Sequence, residues 1–120
     1  MDIDEFKRNR EALHKKVMEF AGKNMKEFHH LDWQAYQSGA LDKKTKEMLG
    51  LVASMVLRCE DCITYHLTQC AEEGVSSEEL EEAMMVALMV GGSIVIPHLR
   101  NAVKVWEELG NKSKETEENQ

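Results

Sequence analysis

The sequence predicts an all-α fold of about five to six helices. Three observations carry that expectation. The 120 residues include one proline and seven glycines, so little interrupts a helix. No alternation of apolar and polar residues lasts beyond a few positions, as a half-buried strand would require. Apolar residues instead recur at helical spacing between recognisable start and stop signals.

The first helix carries Phe6, Leu13, Val17 and Phe20 on one stripe and ends near Gly22. A shorter second helix runs from about Met25 to Gln37 and stops before Ser38-Gly39. A third begins at Asp42, a suitable N-cap, and is apolar nearly all round after Glu47, the pattern of a buried helix. The stretch from Cys59 to Glu73 forms a fourth, stopped by Gly74. A fifth opens with Ser76 and Glu79 at capping-box spacing and breaks or kinks at Gly91-Gly92. Pro97 fits the first turn of the last helix, packed through Leu99, Ala102, Val103, Trp106 and Leu109.

Residues 1–110 thus read as a single domain, and 111–120, with no apolar residue, as a disordered tail. The 42% of hydrophobic residues suffice for one modest core. A formal charge of −7 argues against partners that need a basic face, so neither nucleic acid nor an anionic membrane surface is expected. The apolar runs Met48–Leu57 and Ala83–Ile96 are too short to span a bilayer, and MDIDEFKRNR has no signal-peptide core. The expected compartment is the cytoplasm, where three cysteines do not make a structural disulfide framework. The two apolar runs demand more cover than two small N-terminal helices supply, so a homo-oligomer is expected.

The segment RCEDCITYH, Arg58 to His66, holds the chemistry. On a helix turning about 100° per residue, Cys59, Cys62, His66 and Cys70 share one stripe, while Glu60, Asp61, Thr64 and Thr68 take the other side. Cysteines three apart bring their Cα atoms to about 5 Å, a distance a disulfide tolerates. At a helix N-terminus both sulfurs would meet positive potential, which lowers a thiol pKa, and His66 is one turn from Cys62. That is a nucleophile and base with a resolving thiol. Two other readings stay open. A structural zinc would need four ligands, and no second CxxC or HxxxH is present. Alternatively, the cysteines are small buried hydrophobes in a non-catalytic helical module.

With Glu47, Cys59, Cys62, His66, Gly74 and SSEELEEA in their order and spacing, the chain resembles the carboxymuconolactone decarboxylase superfamily, specifically its AhpD-like alkylhydroperoxidase branch. The resemblance covers about 25–109 and includes the run LDKKTKEMLGLVASMVLRCEDCITYH. It implies an AhpD-like helical domain assembled as a trimer or hexamer, with no metal or organic cofactor. It also implies a thiol-dependent alkyl hydroperoxidase or disulfide oxidoreductase. The substrate would be a hydroperoxide or a small disulfide, and the reductant a thiol, such as a dihydrolipoyl or peroxiredoxin-type protein. By the same resemblance Cys62 attacks the peroxide, Cys59 closes the disulfide, and His66 and Glu47 form the proton relay.

One departure bears on efficiency. Where the AhpD pattern has histidine before the second cysteine, this chain has Asp61, a negative charge that would raise a neighbouring thiol pKa. Its place on the other side of the helix softens that effect, and general disulfide exchange becomes as plausible as peroxide reduction. Decarboxylation of a muconolactone, the namesake reaction, does not need a cysteine pair. His98 is a candidate pocket residue beside Cys62 or a simple packing residue. His29 and His30 read as surface or interface residues, Cys70 as core, and Met84, Met85 and Met89 as adaptable packing.

Overall fold

The computed structural model describes the backbone of residues 2–118 and the side chains of residues 2–110. It is built of helices, with no strand among the described residues. Two compact units divide it, Met1–Gln37 and Ser38–Gln120, where the sequence suggests one domain.

The first unit holds α1 (Ile3–Phe20) and α2 (Lys23–Ala35). Asp2 caps α1, its side chain accepting from the Asp4 N–H at 2.9 Å. Gly22 stands as the N-cap of α2, and the imidazoles of His14 and His29 meet edge to face at 5.1 Å between centroids.

The second unit contains α3 (Lys43–Leu57), α4 (Glu60–Glu72), α5 (Ser77–Gly91), a 3-10 turn (Ser93–Val95) and α6 (Ile96–Glu118). Helix α3 packs on α4 and α5, and α4 also packs on α6. Their shared core includes Leu51, Met55, Ile63, Leu67, Leu80 and Ala102. Each start follows from a local cap. Asp42 accepts from the Thr45 N–H at 2.8 Å to open α3, and those Thr45 hydrogen bonds hold its carboxyl below the usual range. Ser76 and Glu79 satisfy each other's backbone N–H groups at the start of α5, completing the expected capping box. Lys44 then bridges to Glu79 at 2.9 Å, and the Trp106 indole donates to Ser77 Oγ at 2.9 Å, tying α3 and α6 to that same end.

Three features differ from the sequence expectation. Helix α3 is not covered all round: Leu51 and Met55 are fully buried, but Leu49 and Leu57 are exposed. Thr64 and Thr68 of α4, placed opposite the cysteines on the wheel, are buried, because α3 and α6 both pack on this helix. Their hydroxyls donate to the Glu60 carbonyl (3.0 Å) and the Tyr65 carbonyl (2.6 Å), so burial leaves neither unpaired. Finally, α6 continues to Glu118 where a disordered tail is expected. The sequence after Gly110 contains neither proline nor glycine, and its lysines and glutamates are good helix formers. Asn119 and Gln120 lie outside the described residues.

Candidate active site

The turn between α3 and α4 sets the position of the cysteines. Arg58 takes a left-handed conformation (φ 61°, ψ 41°), the one non-glycine positive φ among the described residues. Its N–H donates back to the Met55 carbonyl, and the Cys59 N–H to the Ser54 carbonyl, each at 3.0 Å. These bonds satisfy carbonyls at the end of α3 and turn the chain directly into α4. Cys59 then stands at the N-cap of α4, with Cys62 in its first turn.

The two sulfurs are bonded as a disulfide, and their Cα atoms are 5.3 Å apart. Cys59 Sγ also accepts from the Cys62 N–H at 3.3 Å. An N–H at a helix N-terminus aimed at sulfur favours negative charge there, so the same geometry would stabilise a thiolate once the pair is reduced. Both cysteines are half-buried, and Asp61 between them is exposed.

One turn beyond Cys62, His66 is buried with its Nδ1 3.2 Å from Glu47 Oε1. Glu47 is itself only 1% exposed, so a carboxylate 19 residues away in sequence has been brought into the core to meet this imidazole. An ionised carboxylate only accepts hydrogen bonds, which assigns the proton to Nδ1 and leaves Nε2 as the basic nitrogen. The Tyr65 ring meets His66 edge-on at 5.3 Å.

Gly50 makes this pairing sterically possible. A Cβ built there would fall 2.6 Å from His66 Cε1 and 2.9 Å from both ring nitrogens. Glycine within a helix costs about 1 kcal/mol against alanine, and here the missing side chain is the space the imidazole occupies. Sequence reading did not single out Gly50. The available signal was a glycine inside an otherwise strong helical pattern, three residues after Glu47.

Cys70 takes no part in the pair. It is free and fully buried in the core, and burial, reinforced by the charge of Glu47, pushes its thiol up to about 12. His98 lies against the start of α4, its Nδ1 2.5 Å from Glu60 Oε1, with Asn101 Nδ2 donating to the same oxygen at 3.1 Å. Glu60 and Asn101 were likewise not singled out from sequence. Among the described residues no three His, Cys, Asp or Glu side chains are grouped as metal ligands. A separate apolar groove of about 410 Å³, lined by Met48, Leu49, Val52, Ala83 and Val86 among others, includes none of Cys59, Cys62 or His66.

Residues 22–108 match the carboxymuconolactone decarboxylase family. The chain belongs to that family. A family protein of Thermotoga maritima, with a suggested involvement in antioxidative response, is 54% identical over 94% of this chain and 96% of its own, with a TM-score of 0.88. A second crystal structure from Thermotoga maritima, also 54% identical, superposes with a TM-score of 0.90 over 92% of this chain and 97% of that one. The apo form of a carboxymuconolactone decarboxylase family protein of Legionella pneumophila is 26% identical, with a TM-score of 0.82 over 89% and 96% of the two chains. An uncharacterized protein of the cox locus of Paracoccus denitrificans is 31% identical over 74 residues, 62% of this chain and 67% of that protein. The family match thus takes in α2 to α5 and much of α6, and so contains Glu47, Cys59, Cys62 and His66.

Proposed function

We propose that this family member is a thiol-dependent enzyme that reduces a hydroperoxide or exchanges a small disulfide through Cys59 and Cys62. The observation that carries the reading is one arrangement: a cysteine pair at bonding distance on a helix N-terminus, one turn from a buried histidine–glutamate pair. The antioxidative role suggested for the Thermotoga maritima relative points the same way.

In the reduced protein His66 Nε2 takes the Cys62 proton, and Glu47 stabilises the imidazolium that forms. The Cys62 thiolate attacks the terminal oxygen of the hydroperoxide. The O–O bond breaks, the alkoxide takes the proton from His66 to leave as an alcohol, and Cys62 becomes a sulfenic acid. Cys59 then attacks the Cys62 sulfur, a water molecule leaves, and the disulfide closes. An external dithiol, of the dihydrolipoyl or peroxiredoxin type, returns two electrons and two protons by exchange. With a disulfide as the substrate, the reduced pair gives up its electrons by the same exchange. The cycle runs on the protein's own thiols, in the cytoplasm as its working compartment.

The test is peroxide consumption with dithiothreitol as the electron donor. Cys62→Ser is expected to abolish turnover. Cys59→Ser, reduced and then freed of dithiothreitol, is expected to consume one rapid equivalent of peroxide and halt at the sulfenic acid, which a dithiol would otherwise reduce. Turnover that survives both substitutions would overturn the proposal and favour cysteine-independent chemistry such as decarboxylation.

A further inference from the structure

A second carboxylate–imidazole pair stands one residue from Cys59, and the cycle above makes no use of it. Glu60 is the first residue of α4, directly after the Cys59 N-cap. One oxygen of its carboxylate meets both His98 Nδ1 and Asn101 Nδ2, at 2.5 and 3.1 Å. His98 and Asn101 are three apart on α6, so one turn of that helix holds the first turn of α4 by a single carboxylate oxygen.

Stability alone gives little reason for this cluster. The Glu60 side chain is 46% exposed, and a polar contact in so wet a setting adds little to stability. Its position gives a better one. A thiolate at Cys59 is favoured by the Cys62 N–H and the helix N-terminus, whereas a carboxylate on the next residue opposes it. Two side chains of α6 hold one oxygen of that carboxylate by hydrogen bonds, drawing its negative charge toward α6.

We propose that His98 is a positioning residue for the cysteine pair, acting through Glu60 to set how readily the Cys59–Cys62 disulfide is reduced. This rests on the redox reading of the pair. The relevant exchange is with dithiothreitol: its two thiols supply two electrons and two protons, the protein S–S bond breaks, two cysteine thiols form, and dithiothreitol closes to its cyclic disulfide.

The experiment equilibrates the full chain with mixtures of reduced and oxidised dithiothreitol near pH 9.5, about one unit above the ordinary thiol pKa, so that a change in thiol pKa is read almost in full. Rapid alkylation and mass spectrometry then give the reduced fraction. His98→Ala is expected to shift the equilibrium about three- to tenfold toward the disulfide, the effect of half to one pKa unit lost in thiolate stabilisation. Glu60→Gln is expected to shift it the opposite way, and adding His98→Ala to Glu60→Gln should change little further. A merely structural clasp would not produce opposite signs. His98→Leu, which removes the donor but keeps a side chain in the site, should shift the equilibrium as alanine does and serves in its place, alone and with Glu60→Gln, if the alanine variant does not fold. His98→Gln, which retains a donor, should lie close to wild type.

A constant within twofold of wild type for the folded His98→Ala or His98→Leu variant, or a Glu60→Gln shift that does not run the opposite way, would overturn the inference and leave the redox reading standing. So would an undiminished His98 effect in the Glu60→Gln background. A wild-type pair that forms no reversible disulfide would overturn both.

Discussion

Glu47 and His66 meet in the core with no space to spare, and Gly50 is the reason they can. Gly50→Ala raises intrinsic helix propensity by up to about 1 kcal/mol. Because its Cβ would collide with the imidazole, peroxide turnover is expected to fall about tenfold or more while α3 stays helical, a separation that circular dichroism beside an activity assay would show. Removing the relay itself should cost more: His66→Ala is expected to lower the rate about 10²-fold or beyond, with Glu47→Gln following in the same direction. Cys70 makes a different prediction. Its thiol is pushed from an ordinary 9.0 to about 12, so the folded state holds that proton more tightly than the unfolded chain. The resulting stability is fully present below about pH 9 and is lost as pH rises from there toward about 12. Urea unfolding of Cys70→Ala should therefore show a flatter dependence on alkaline pH than wild type, and Cys70 in the folded protein should resist iodoacetamide at pH 8.

Helix ends position the chemistry, and they differ in how far sequence reveals them. The Ser76–Glu79 box is a contact between neighbours in sequence, so the residues alone disclose it. Ser76→Ala should cost about 1 kcal/mol, measurable by urea unfolding, without altering the cysteine chemistry. Gly74, at φ 76°, is equally local: it ends α4 and lets the Val75 N–H reach back to the Cys70 carbonyl. The burial of α4 was less legible. A helical wheel gives one inward face, yet Thr64 and Thr68 are buried because a second neighbour covers the other. Nor could periodicity join residues far apart in sequence. Glu47 was placed with His66 only through the family pattern, and Glu60, His98 and Asn101 met through a packing of α4 on α6 that no local signal encodes.

At the scale of the molecule, much apolar surface remains exposed on the second unit: Leu57 at 77%, Met89 at 74% and Val90 at 69%. Isolated apolar side chains on a surface are ordinary, but a set of this size along α3 and α5 fits association of copies of this chain. Sedimentation should show an assembly larger than one chain, and Met89→Asp should weaken it. No helix among the described residues is long and apolar enough to cross a membrane. The fold class and family were readable from helix periodicity and the CxxCxxxH segment, whereas the redox assignment rests on the reactivity of two sulfurs. The most direct test is mass spectrometry of the reduced, chelator-washed protein after a sub-stoichiometric pulse of organic hydroperoxide. The account predicts a Cys59–Cys62 disulfide formed far faster than a model thiol oxidises, with Cys70 unmodified. Cysteines that remain reduced under that pulse, and under a following pulse of a small disulfide, would contradict it.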